Sequence, residues 1–208
     1  MAASFEILKA FAPLLRYPGA QYGQNVERAL TLCAHEPQAR ACLEQLKAFV
    51  AAHDSWSLEE DYTRTFDINP AVAMDVGFQL FGLAYKRGEF LVKMQGALRR
   101  VGMDAGTELA DHLPTLLELC AALPADEGIQ LMEECIAPAI KKMLEAVPKD
   151  AQGLAGAALA LGEYVAANYR CLGEANPDLQ DEAHDITQGY EYELGDLDDL
   201  RLGVNRHE

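Results

Sequence analysis

Hydrophobic positions recur at helical spacing along residues 1–173 of the chain. The first apolar set lies on one helical face and consists of Phe5, Leu8, Phe11, Leu14 and Leu15. Pro18 and Gly19 end that helix. The same spacing predicts further helices over residues 26–35, from Pro37, over 70–87, 89–101, 111–123 and 126–147, and from 151 to 173. No segment alternates like a strand and no repeat of fixed period is found, so the sequence predicts an all-α, compact multi-helix bundle.

Caps and breakers predict where the helices in the middle of the chain begin and end. Ser57, with Glu60 three residues later, has the capping-box pattern of a helix N-terminus. Pro70 is predicted to begin a long helix that reaches Arg87. Lys86 and Arg87 suit the C-terminal end of that helix, where the dipole is negative. Gly88 is predicted to close it or to kink it.

The second half of the chain carries a similar set of terminal signals. Asp111 is predicted to cap the helix that follows it, and Pro114 is tolerated because it lies in the first turn. Asp126 and Asp150 are predicted caps of the last two helices, and Pro138 predicts a kink. Small residues in the last helix predict a close approach to a neighbouring helix.

The chain has 208 residues, half of them hydrophobic, which is enough for one domain with a substantial core. The formal charge is −16, which disfavours nucleic acid and anionic lipid as partners because phosphate binding needs clustered Lys and Arg. Residues 174–208 contain eleven acids and two arginines, a formal charge of −9. We therefore predict a helical domain over residues 1–173 and an acidic C-terminal tail over 174–208, either disordered or strapped on the body.

Neither a signal peptide nor a membrane span is predicted. Glu6 and Lys9 interrupt the first apolar run, and no uncharged apolar run approaches 20 residues. Five cysteines are scattered without a CxxC pair, as expected of reduced, buried thiols in a cytoplasmic protein.

Three short motifs between residues 61 and 120 carry the functional information. They read YTRTFD over 62–67, FGLAYKRG over 81–88 and ELADHLPTLLE over 108–118. None has the spacing of a metal site, a phosphate loop or a nucleophile elbow. We therefore interpret them as parts of a binding groove.

These motifs resemble those of the redox enzyme maturation chaperones of the NarJ/TorD type, and within them the nitrate reductase assembly chaperones. The matching positions are Tyr62, Phe66, Asp67, Gly82, Arg87, Gly88, Glu108, Leu109, Asp111, His112, Leu113, Pro114 and Glu118. Ala110 stands where the family usually has proline, and Leu83-Ala84-Tyr85 replaces a more polar stretch.

The resemblance implies a TorD-like all-α fold and a cytoplasmic chaperone that is not an enzyme and carries no cofactor or metal. Its implied partner is the apo catalytic subunit of a nitrate reductase-like molybdoenzyme, bound through its N-terminal segment during molybdenum cofactor insertion, before membrane attachment or export. The predicted partner-binding residues are Tyr62, Phe66, Asp67, Phe81, Tyr85, Arg87, Gly88, Asp111, His112, Pro114 and Glu118.

Alternative interpretations of these residues remain open from the sequence. Tyr62 and Phe66, four residues apart, suit a helical core as well as a groove, and so does the stripe of Phe78, Phe81 and Tyr85. Asp111 and His112 would serve an all-α acid–base enzyme. A generic helical adaptor without a molybdoenzyme partner is the third hypothesis.

Overall fold

The computed structural model describes residues 5–172, and all its regular elements are helical. The α-helices are α1 (Phe5–Phe11), α2 (Tyr22–Leu32), α3 (Pro37–Ala52), α4 (Ser55–Tyr62), α5 (Val76–Phe81), α6 (Tyr85–Arg100), α7 (Leu113–Ala122), α8 (Ala125–Leu131), α9 (Ala137–Leu144) and α10 (Ala155–Asn168). The prediction of an all-α fold is confirmed. The last helix ends at Asn168, so the prediction that it runs to Gly173 is wrong. The predicted acidic tail lies outside the described residues, so the division at residue 173 stays a prediction.

The core forms where α10 packs along α3 and where α1 packs against α7. Small residues of α10 allow the first of these approaches, since a Cβ built on Gly156 would lie 3.5 Å from Cβ of Leu46. A Cβ built on Gly162 would collide with the side chain of Leu144 in α9, so this approach is closer still. The prediction that this small-residue helix packs closely is confirmed.

The N-terminal apolar face is buried as its spacing predicts. Leu8, Phe11, Leu14 and Leu15 are fully enclosed, the last two in and after the 3-10 turn Ala12–Leu14 that extends α1. The Tyr22 hydroxyl donates a hydrogen bond of 2.7 Å to the carbonyl of Leu14. This bond fixes the loop between α1 and α2.

Several predicted helix caps are wrong. The cap of α4 is Asp54, whose Oδ1 accepts a hydrogen bond from the backbone N–H of Ser57 at 2.9 Å. Ser57 therefore lies inside the helix rather than at its start. Asp126 lies in the first turn of α8, and α10 begins beyond Asp150, at Ala155.

The long helix predicted over residues 70–87 is also wrong. Its place is taken by the 3-10 turn Pro70–Val72, by α5 and by the first turn of α6. Gly82 has φ +59°, a conformation that glycine adopts without steric cost, and the chain reverses there. Arg87 consequently lies at the beginning of a helix, Gly88 lies inside it, and Tyr85 is separated from the apolar stripe of α5.

Two π-helical segments interrupt the regular helices. Thr63–Asp67 continues α4 and carries most of the first motif. Met132–Ile136 joins α8 to α9 directly before Pro138, close to the predicted kink. A π-turn adds a residue to the helical turn and is frequent at functional sites.

A buried carboxylate connects α4 to the start of α10. Oδ2 of Asp61 accepts a hydrogen bond of 2.7 Å from the backbone N–H of Leu154. Gly153, with φ +85°, brings the backbone against that carboxylate. These three residues, which we call the Asp61 latch, hold the first motif against the last helix.

Within residues 5–172, no helix combines the length and apolarity that crossing a membrane requires. The same range holds no cluster of three or more His, Cys, Asp or Glu side chains able to bind a metal ion. Cys33 and Cys120 are buried and Cys171 is exposed, which departs from the expectation that the thiols are buried.

Candidate functional site

A cleft of about 640 Å³ opens between the end of α4, the loop before α5 and the loop before α7. Its lining consists of Arg16, Tyr17, Tyr62, Phe66, Asp67, Ala73, Met74, Asp75, Ala105, Gly106, Thr107, Glu108 and His112. The first and third motifs thus line one cavity, although 40 residues of chain separate their nearest members, Asp67 and Glu108.

The floor of the cleft is aromatic. The Tyr62 and Phe66 rings lie 5.2 Å apart, and the Tyr17 ring stands edge-on to Tyr62 at 5.4 Å. The Tyr62 hydroxyl donates a hydrogen bond of 3.2 Å to the carbonyl of Leu15. Burial raises the pKa of this phenol, so it stays neutral and keeps the ring in place. Tyr62 and Phe66 are buried, as the core interpretation predicts, and both also line the cleft.

A pair of backbone hydrogen bonds joins the loop before α5 to the third motif. The N–H of Leu113 donates to the carbonyl of Met74 at 2.7 Å, and the N–H of Val76 donates to the carbonyl of Asp111 at 2.9 Å. Asp75 and His112 therefore face each other in an isolated antiparallel bridge. This bridge holds one wall of the cleft.

Asp111 is fully enclosed behind that wall, where it caps a different helix from the one predicted. Its Oδ2 accepts a hydrogen bond of 3.1 Å from the backbone N–H of Gly77, in the first turn of α5. The N-cap position of α7 belongs to His112, without a side-chain bond. Asp111 therefore fixes α5 against α7 across the bridge.

The Arg87 guanidinium forms ion pairs with two carboxylates behind this wall. Its Nε donates to Oδ2 of Asp111 at 3.3 Å, and a second nitrogen lies 3.4 Å from Oδ2 of Asp75. Burial, followed by the nearby Asp75 charge, raises the pKa of Asp111, while Arg87 opposes that shift. Arg87 also lies over the Phe78 ring, 5.6 Å from its centroid. The second motif thus supports the cleft from behind.

His112 points a buried imidazole at the cleft. Its Nδ1 has no hydrogen-bond partner among the described residues. Burial lowers its pKa, and the carboxylates of Glu108 and Asp75 oppose that shift. His112 therefore lines the cleft with a ring that carries one enclosed nitrogen, unpaired within residues 5–172.

The rim of the cleft is predominantly acidic. Arg16 is its one lining cation, and both of its terminal nitrogens bond to Glu118, at 2.7 and 2.9 Å. Asp67 and Glu108 are exposed, and neither forms an ion pair with a cation of residues 5–172. Their charges are therefore available to a cationic partner.

The predicted site residues fall into three groups. Tyr62, Phe66, Asp67 and His112 line the cleft. Arg87 and Glu118 pair with the lining residues Asp75 and Arg16, and Asp111 pairs with Arg87. The other predicted residues are outside its lining: Phe81, which packs against Phe90; Tyr85, which is 85% exposed; Gly88, on the surface of α6; and Pro114, buried in the first turn of α7. Whether any of the eleven contacts a partner stays a prediction.

Nine lining residues were not among the predicted site residues, and four of them carry charged or aromatic side chains: Arg16, Tyr17, Asp75 and Glu108. Glu108 belongs to the third motif, so its position beside His112 was a usable signal. Arg16 and Tyr17 come after the first helix, far from the motifs in sequence. Only the packing of α1 against α7 brings them to the cleft.

The model of the family described as "Nitrate reductase delta subunit" matches residues 34–152, more than half of the chain. The chain belongs to this family. Its membership confirms the resemblance to the NarJ/TorD-type chaperones that the three motifs predicted. All eleven predicted site residues lie inside the matched region of the delta subunit family.

Two curated relatives bear the name nitrate reductase molybdenum cofactor assembly chaperone NarJ. The protein of Escherichia coli K12 is 28% identical over 130 residues, 60% of this chain and 55% of the relative. The protein of Escherichia coli O157:H7 has the same identity and coverage. The chain thus spans about half the length of the curated relatives that it matches.

The burial of His112 predicts a pH dependence of stability. Because its pKa is lowered in the folded protein, the unfolded chain binds this proton more readily. The neutral His112 side chain therefore contributes fully to the free energy of unfolding above the ordinary histidine pKa of about 6.5. This contribution is lost as the pH falls through the lowered pKa. His112→Gln should therefore lose less stability between neutral and mildly acidic pH than the wild type, as measured by urea unfolding.

The exposed His53 provides the control for this measurement. His53→Gln should keep the wild-type dependence on pH. If the wild type and His112→Gln lose equal free energy of unfolding between neutral and mildly acidic pH, a group other than His112 causes the pH dependence.

Proposed function

We propose that the chain is an assembly chaperone that binds the apo catalytic subunit of a nitrate reductase-like molybdoenzyme and assists insertion of its molybdenum cofactor. Membership of the delta subunit family and the name of the NarJ relatives support this proposal. The proposed partner segment is the N-terminal part of the subunit, bound in the cytoplasm before membrane attachment or export.

The cleft is the observation that carries the proposal. Its volume of about 640 Å³, its aromatic floor and its acidic rim suit an amphipathic helix with an apolar face and flanking cations. Tyr62 and Phe66 would receive the apolar face, while Asp67 and Glu108 would attract the cations. A segment that folds on binding loses conformational entropy, which keeps its release possible when assembly is complete.

The acid–base enzyme hypothesis has less support from the geometry. Asp111 is enclosed and its Oδ2 is bonded to Gly77 and Arg87, so the carboxylate does not reach the cleft beside His112. Turnover lost in His112→Ala, with partner binding intact, would favour the enzyme. A generic adaptor would not copurify with an apo molybdenum subunit.

Calorimetry with the N-terminal peptide of the catalytic subunit from a neighbouring reading frame tests the proposal. The double variant Asp67→Asn, Glu108→Gln should bind roughly three- to tenfold more weakly at low salt, with a flatter dependence on salt. These two side chains are exposed, so the fold should remain intact.

The matched control is Glu145→Gln, an exposed acid at the end of α9, outside the cleft lining. It should bind like the wild type. Equal affinity and salt dependence in all three proteins would refute the role of the acidic rim, and no binding to the wild type would refute the proposed function.

A further inference from the structure

A second surface with exposed aromatic residues adjoins the cleft. A groove of about 430 Å³ is lined by Tyr17, Trp56, Glu59, Glu60, Thr63, Arg64 and Ile68, and we call it the Trp56 groove. Trp56 is 75% exposed, Ile68 70% and Tyr17 54%. Large apolar side chains gathered at one exposed place are typical of protein interaction sites, where tryptophan and tyrosine contribute strongly to affinity.

The helical register of α4 builds one side of this groove. Trp56, Glu60 and Thr63 recur at intervals of four and three residues, so they form one stripe on the helix. The π-helical segment that follows turns Phe66 inward and leaves Ile68 outside. The side chains of Trp56, Ile68 and Tyr17 thus form an apolar strip along the groove.

Tyr17 makes the two surfaces continuous. Its side chain lines both the cleft and the Trp56 groove. The ring is held at its two ends, by the edge-on contact with Tyr62 and by a hydrogen bond of 3.1 Å that its hydroxyl donates to Glu59. A chain that leaves the cleft over this ring enters the Trp56 groove.

The charges of the groove indicate the character of its occupant. Glu59 and Glu60 lie beside the apolar strip, whereas the only lining cation, Arg64, is paired with Asp61. No cation of residues 5–172 forms an ion pair with Glu60. The groove is therefore complementary to an aliphatic or aromatic side chain flanked by lysine or arginine.

We propose that the Trp56 groove binds a second amphipathic, cationic segment of the same client, continuous with the segment in the cleft. This inference rests on the proposed function, because it requires a client peptide in the cleft. It extends the interface beyond the three motifs to Trp56, Glu60 and Ile68.

The experiment compares two synthetic N-terminal peptides of the neighbouring molybdoenzyme catalytic subunit, with tryptophan replaced by phenylalanine. One has about 12 residues, three turns of helix, and the other about 24. Trp56 is the only tryptophan of the chain, so its emission reports directly on the groove. The long peptide should bind at least about tenfold tighter and shift the emission to shorter wavelength, while the short peptide leaves the emission unchanged.

Single substitutions test which residues make the long peptide bind more tightly than the short one. Trp56→Ala should remove the advantage of the long peptide in calorimetry and leave the short peptide within about twofold of wild type. Glu60→Gln should reduce the advantage mainly at low salt. Leu32→Ala, a matched truncation of an exposed side chain on α2, should change neither affinity.

Each contrary outcome has its own meaning. Equal binding of both peptides with unchanged Trp56 emission would overturn the inference and leave the proposed function standing. Equal weakening of both peptides by Trp56→Ala would show that no separate groove exists. Self-association that Trp56→Ala abolishes would assign the groove to a second copy of the chain and overturn the inference. Failure of the wild type to bind either peptide would refute the proposed function as well.

Discussion

Replacing Asp111 with alanine is expected to destabilise the fold by about 3 kcal/mol. The substitution leaves the Gly77 N–H without its acceptor and deprives the half-buried Arg87 of one of its two carboxylates. Urea unfolding followed by helical circular dichroism measures the loss. Because α5 has only six residues, it should unfold first in this variant, so a small loss of helical circular dichroism should precede the main transition.

Two further variants separate the contributions of this carboxylate. Asp111→Asn keeps an oxygen that can accept the hydrogen bond from Gly77. It also removes a carboxylate whose burial is unfavourable, as its raised pKa indicates. We therefore expect a loss of only about 1 kcal/mol in the free energy of unfolding. Asp126→Ala, an exposed acid in the first turn of α8, should cost less than about 1 kcal/mol. A loss below 1 kcal/mol in Asp111→Ala itself would show that the buried network does not hold α5.

Substitution of Gly153 by alanine should cost about 3 kcal/mol. At φ +85° an L-residue is strained, and the new Cβ would collide with the Asp61 carboxylate, whose Cγ lies 3.0 Å away. The Asp61 latch would have to open, which takes the acceptor from the Leu154 N–H. Chemical denaturation at neutral pH measures this loss.

Gly102 is the matched control, because its φ of +72° imposes the same strain while nothing lies within 4 Å of a Cβ built there. Gly102→Ala should therefore cost only about 1 kcal/mol. If the two alanine variants lose equal stability, the contact with Asp61 is unimportant and backbone strain accounts for both losses.

Local periodicity predicted the helical class and the buried face of the first helix because both depend on residues close in sequence. The same holds for the pairing of Tyr62 with Phe66, one turn apart. Four of the predicted site residues also line the cleft: Tyr62, Phe66, Asp67 and His112. Each of these results follows from spacing along a single helix or from motif residues alone.

Three features of the structure were not predicted from local patterns, and two of them depend on contacts between residues far apart in sequence. Asp111 caps α5, 34 residues earlier in the chain, rather than the helix that follows it, because the backbone bridge at Asp75 brings the two together. Gly82, not Gly88, takes the positive φ and ends the helix, although the sequence predicts that end at Gly88. Arg16 comes to the cleft through the packing of α1 against α7, and its bonds to Glu118 of α7 hold it there.

The Asp61 latch has a consequence for the timing of translation. Its hydrogen bond joins positions 93 residues apart, and the bonds of Arg16 to Glu118 span 102 residues. Neither contact can form while its later member is still inside the ribosome. A newly made chain therefore completes the support of its cleft only after Leu154 has emerged from the ribosome.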